Sequence, residues 1–184
     1  VMGNGGAINI TVSPTSTTLY NILATNTSTT CFAELTDKPT VTVNPLPNNS
    51  LAVSDDAICA GEMATITITG SQNGVSYQLR RDDNDSNVGS PVAGNGGAIN
   101  ITVSPMSTTL YNILATNTTT TCAAELTDKP TVTVETPLNP GTNGTLTICV
   151  GETVTTTQLF AALGGTPNAG GVWSPALAGA GTYT

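Results

Sequence analysis

Histidine does not occur in this chain, and only four residues, Lys38, Arg80, Arg81 and Lys129, carry positive charge. Without imidazole there is no His-assisted nucleophile and no His-containing metal site. Four cations against twelve carboxylates leave a net charge of -8. That balance excludes a basic face able to neutralise nucleic-acid phosphates and makes an anionic membrane surface an equally poor partner. Long apolar runs are missing too: no stretch of about 18 such residues reads as a membrane-spanning helix, so no membrane insertion is expected of this segment. Neither a G-x-S-x-G elbow nor a G-x-x-x-x-G-K-[ST] loop occurs. Carboxylates such as Glu62, Glu125 and Glu152 stand singly in the sequence rather than in pairs. With no constellation to carry chemistry, neither catalysis nor a cofactor is expected.

What the chain does have is a copy of itself. Residues 3–43, from GNGGAINITVSP to TVTV, return at 94–134 with a constant offset of 91 and three differences: Thr15/Met106, Ser28/Thr119 and Phe32/Ala123. Stability alone does not require such likeness, because surface positions accept many residues. A tandem array copied within one gene accounts for it. The phrase ICAGE at Ile58–Glu62 also returns, as ICVGE at Ile148–Glu152. The chain therefore reads as a window on a longer protein: the back half of a repeat (1–46), a complete repeat (47–136) and the front of a third, divergent repeat (137–184).

The apolar residues alternate with period two. Ala64, Ile66 and Ile68 are separated by threonines; Val75, Tyr77 and Leu79 by Ser76 and Gln78; Ile99, Ile101 and Val103 by Asn100 and Thr102. Tyr111, Ile113 and Ala115 continue the pattern, as do Leu126, Val132 and Val134. Each row is the buried face of a half-buried strand. Glycine, asparagine and threonine clusters between the rows mark turns. About seven short strands in ninety residues predict an all-β, antiparallel β-sandwich. The connectors NPLPNNS (44–50) and TPLNPGTNG (136–144) are rich in proline and asparagine. They predict units joined end to end at about 40 Å per repeat.

ICAGE, a Thr/Ile strand, the aromatic strand VSYQL, STTLYNILATN, a cysteine and TVTV, in that order, resemble the Ig-like repeats of giant cell-surface proteins of Bacteroidota. The third unit, FAALGGTPNAGGVWSPALAGAGTYT, is similar to another repeat type of the same proteins. The family so resembled is that of the gliding adhesin SprB and its relatives, exported by type IX secretion. The resemblance implies tandem Ig-like sandwiches at the extracellular cell surface. It also implies neighbouring repeats, anchoring or motility machinery and surface polysaccharide as partners.

Several residues are candidates for more than packing. Tyr20 and Tyr111 head the penultimate strand, where Ig-like sandwiches often hold a tyrosine whose hydroxyl bonds back to a loop; the other reading is a sugar-stacking aromatic. Trp173 reads the same two ways, core first. Asp82, Asp83 and Asp85 form an oxygen-rich run that raises calcium, although RRDDNDSN lacks the Gly and Glu of an EF-hand loop and reads better as a solvated hairpin turn. Cys59 and Cys122 are one of each cysteine type in the complete repeat. A bond between them, a bond across a junction and free thiols are all open, with the first favoured in a secreted β module. The substitutions between copies predict that positions 15/106 and 32/123 are exposed, since such volume changes in a core would cost about 2–5 kcal/mol.

Two functions follow as expectations. One is a stalk or filament segment of a giant adhesin used in surface attachment or gliding motility. The other is a carbohydrate-binding or spacer module of a secreted multidomain hydrolase. Near-identity of copies favours the first, because a spacer needs number and stiffness more than individuality.

Overall fold

A computed structural model describes residues 1–170 of the chain; Trp173 lies outside the described residues. In residues 1–46 four short strands form two local hairpin-like pairs. Strand β1 (Thr18–Leu19) and β2 (Leu23–Thr25) pair antiparallel with β4 (Thr40–Val41) and β3 (Phe32–Glu34), respectively.

Residues 51–135 form an all-β sandwich. Its strands are β5 (Asp56–Cys59), β6 (Ala64–Ile68), β7 (Val75–Arg81), β8 (Val92–Ala93), β9 (Ile99–Val103), β10 (Thr109–Asn117), β11 (Ala123–Glu125) and β12 (Thr131–Glu135). One sheet runs in the order β5-β12-β10-β7-β8, with β11 also on β10; the facing sheet is the pair β6-β9. All pairings are antiparallel except that of β5 with β12. Just before β5 the chain changes sheets: Val53 bridges Ile68, whereas Asp56 already pairs with Val132.

The predicted inward rows are the core. Ala64, Ile66, Ile68, Tyr77, Leu79, Ile113, Ala115 and Val132 are fully buried, and Val75, Ile99, Ile101, Tyr111 and Leu126 nearly so. Val103 and Val134 pack against this cluster from its margin. Among the described residues every side chain of the hydrophobic core falls between Leu51 and Val132. Burying each such side chain contributes about 1.5–3 kcal/mol, so the hydrophobic stabilisation of the described chain is concentrated in this unit. All three positions that differ between the copies are exposed in both, Phe32 at 72% and Met106 at 78%.

The ICxGE phrase is a turn. Cys59 O accepts from Glu62 N–H at 3.1 Å while Glu62 Oε2 accepts from Cys59 N–H at 3.2 Å. Gly61 at φ +90 supplies the third turn position, which an L side chain resists. Cys149 and Glu152 repeat both bonds at 3.1 and 3.0 Å. Past Glu152 the likeness ends in a helix, α1 (Thr156–Ala162). Thr155 and Gln158 form a capping box, each side chain accepting the other residue's backbone N–H. The sequence TTTQLFAAL carries that T-x-x-Q signal, which the surrounding β periodicity masks.

Candidate functional site

Two features of the sandwich stand out: where its ends lie, and where its charges go. Pro47 is buried, Asn48 N–H donates to Gln72 Oε1 at 2.6 Å, and Thr127 N–H donates to Asn49 O at 2.8 Å. Thr118 N–H reaches Gly74 O at 2.9 Å, placing the 70–74 and 117–122 loops at this same entry pole. At the other pole Glu135 ends β12 opposite Cys59. The chain thus enters at one pole and leaves at the other. Between them β5 and β12 run parallel through four residue pairs, from Asp56–Val132 to Cys59–Glu135.

Carboxylates fasten β5 and the segment before it to their neighbours. Asp55 Oδ1 accepts from Thr131 N–H at 2.7 Å, Asp56 Oδ2 from Thr65 N–H at 2.7 Å, and Asp128 Oδ2 from Val53 N–H at 2.9 Å. Bonds from backbone N–H to an ionised carboxylate are among the stronger kind. Sequence reading missed all three roles. Their signal was weak: single acids beside strand ends.

Arg80 and Lys129 converge on Glu125 at the outer face of the larger sheet, while Arg81, in register with the buried Tyr111, lies on the other side of β7. Arg80 Nη2 meets Glu125 Oε2 at 2.6 Å, and its Nε donates to Asn112 Oδ1 at 2.8 Å. Asn112, only 1% exposed, turns its Nδ2 to Asp85 Oδ1 at 2.7 Å. Lys129 Nζ joins Asp82 at 2.5 Å and Glu125 at 3.1 Å, while Arg81 pairs with Asp83 at 2.9 Å. The cluster nearly neutralises itself and ties the 82–87 hairpin to β10 and to the loop before β12.

Asp82, Asp83 and Asp85, the residues that raised calcium, are held by protein groups in this arrangement. Asp82 meets Lys129, Asp83 meets Arg81, and Asp85 meets Arg80 and Asn112, whose Nδ2 also reaches Asp82 at 3.4 Å; among the described residues no three acidic, Cys or His side chains are grouped to hold a metal ion. A calcium ion needs six to eight converging oxygens. The hydrogen bond from Lys129 holds Asp82 below the ordinary carboxylate value of 3.8, and that from Arg81 does the same for Asp83. A depressed folded value means stability that is present above the unfolded value and lost as pH falls through the folded one. The melting temperature is therefore expected to stay flat from pH 7 to about pH 5 and to fall only below about pH 4. A steep fall already between pH 7 and 5 contradicts these pairings.

Of the two readings of Tyr111, its burial fits the packing one. Tyr111 is 2% exposed, which removes it from any sugar face, and burial pushes its phenol above the usual value. Tyr20 is half-buried. The tyrosine that ties a strand to a loop is Tyr77, whose hydroxyl oxygen accepts from Gln72 N–H at 2.8 Å.

The favoured Cys59–Cys122 bond is corrected. Both thiols are free, and they belong to opposite poles. Cys122 follows the turn after Asn117, at the far end of β10 from Thr109; Cys59 lies beyond Val132, which faces Thr109. Eight strand steps of about 3.3 Å separate the two ends of β10, whereas a disulfide needs Cα atoms within about 7 Å. Neighbours in sequence pattern are thus not neighbours in space. Peptide mapping without reductant is expected to find no Cys59–Cys122 peptide; recovering one would overturn the strand order β5-β12-β10.

No protein-family model matches the chain, and no curated protein matches it. Among solved structures it is similar to the "Crystal structure of Ig1 domain of mouse SynCAM 2", at 14% identity and a TM-score of 0.36, over 49% of this chain and 99% of that one. The all-β sandwich rests on the strand pairing of residues 51–135 itself.

Proposed function

We propose that this chain is a segment of the stalk or filament of a giant bacterial cell-surface adhesin, one that transmits force between the cell and a surface in attachment or gliding. The observation that carries the reading is the polar placement of the two ends of the 47–136 unit, joined through the parallel β5–β12 seam. Tension applied at the ends pulls β5 and β12 in opposite directions along their own axes. All bonds across the seam then share the load, and none can open before its neighbours. End-to-end units of this kind project a distal group while resisting extension.

The sequence likeness to the gliding-adhesin repeats supports a stalk outside the cell, exported by type IX secretion. Its partners are then neighbouring repeats, the anchoring or motility machinery and surface polysaccharide. Adhesion arises from many weak contacts or from a distal domain, because multiplicity raises avidity without new chemistry in any one unit. The three substituted positions, all exposed in both copies, support this, and the two copies keep the same internal strand register despite the changes.

Cells whose array is shortened by several repeats, with both ends kept, are expected to lose adhesion gradually with repeat number. Abolition by altering one repeat contradicts the reading. So does micromolar glycan binding by the isolated 47–136 unit, which is the behaviour of a carbohydrate-binding module.

A further inference from the structure

The two near-identical segments differ in what covers them. Their internal pairing is the same: Thr18–Val41 and Leu19–Thr40 correspond to Thr109–Val132 and Leu110–Thr131, and Leu23–Glu34 to Leu114–Glu125. Tyr20 N–H donates to Pro39 O at 2.9 Å, as Tyr111 N–H does to Pro130 O at 2.9 Å. Local sequence therefore already sets this register. Burial does not follow. Ile8, Ile10 and Leu35 are 42%, 51% and 43% exposed, against 6%, 5% and 1% for Ile99, Ile101 and Leu126. In the second segment the cover comes from β6, which pairs with β9, and β7, which pairs with β10 through seven residues. Among the described residues the corresponding edge of 18–25 has no strand partner.

Polar groups are left over in the same pattern. Asn112 and Glu125 both grip Arg80. Among the described residues their counterparts Asn21 and Glu34 have no guanidinium, and the ion pair of Glu34 is with Lys38, at 3.8 Å.

We propose that the open face of residues 8–41 is a docking site for the front half of a repeat, a segment of the chemistry of residues 51–93. It would lay a β7-like strand along Tyr20–Asn26, seat an Ile/Ile strand beside Ile8 and Ile10, and place its arginine between Asn21 and Glu34. The fit is set by apolar area, by a free strand edge and by charge together. This inference does not depend on the stalk reading.

The test adds a separate polypeptide of sequence 47–93 to the full chain. Binding at one to one is expected, with amide exchange in 20–26 slowed by at least about tenfold. Ile22→Asp in the chain abolishes binding while the melting of the 47–136 unit is unchanged. Arg80→Glu in the added polypeptide weakens binding, and Glu34→Lys in the chain restores it. Because the free polypeptide can fail to stay soluble, the same 47–93 segment joined directly to Gly3 is measured as well; it is expected to add a second cooperative unfolding transition. Absence of both binding and the second transition overturns the proposal. Binding indifferent to Ile22→Asp does so too, as does self-association of the chain through this face that the added segment cannot displace.

Discussion

Replacing Ile113 by alanine is expected to lower the stability of the 47–136 unit by about 2–5 kcal/mol, whereas the same replacement at Ile22 shifts it by less than about 0.5 kcal/mol. The two isoleucines sit in the same phrase, LYNILATN, 91 positions apart. Ile113 is fully buried between the sheets, so truncation leaves a cavity that the closed sandwich only partly fills. Ile22 is half-exposed between the short strands β1 and β2, with no facing sheet among the described residues. Denaturant unfolding of the two variants decides it. Equal losses would mean that both segments are enclosed alike, contrary to their different burial.

Gly94→Ala is the other change with a large expected effect. A methyl at Gly94 would stand 2.1 Å from Gln72 O and 3.0 Å from the Tyr77 ring. Neither neighbour can give way. Gln72 is held because its N–H donates to the Tyr77 hydroxyl, and Tyr77 is fully buried. Overpacking against fixed backbone costs about 1–3 kcal/mol or somewhat more. At the equivalent Gly3 a methyl meets nothing within 4 Å, and Gly3→Ala is expected to be neutral. A shift in the urea midpoint for Gly94→Ala alone bears this out; indistinguishable midpoints contradict it.

Much of the fold is legible in the sequence because burial here is a period-two property. Rows such as Ala64, Ile66, Ile68 and Tyr111, Ile113, Ala115 are where a strand with one dry face puts its apolar residues, and each is buried. The GNGG phrase is likewise readable as a turn. In its second copy Asn95 Oδ1 accepts from Gly97 N–H at 2.8 Å, while Gly97 O accepts from the buried Ser71 hydroxyl at 2.7 Å. What the pattern does not carry is direction and partnership across sequence distance. The parallel run of β5 beside β12 joins residues more than seventy positions apart, and it decides that Cys59 and Cys122 are at opposite poles. The role of Tyr77 depends on the nearness of Gln72, which only the folded loop creates. Helix α1 escapes the pattern for a different reason: its capping box lies within a threonine run that resembles the strands around it.

The most direct test of the stalk account is to stretch single molecules of the 47–136 unit from two directions. Attached through its natural ends, the unit is loaded in shear across β5–β12. Attached at Asn73 and Thr119, both at the entry pole, it is loaded so that β7 and β10 unzip pair by pair. The account predicts a several-fold higher unfolding force through the natural ends. It also predicts one dominant event that releases roughly 300 Å of extended chain, at about 3.4 Å per residue, less the folded span. An equal or lower force through the natural ends, or gradual extension with no dominant event, would contradict it.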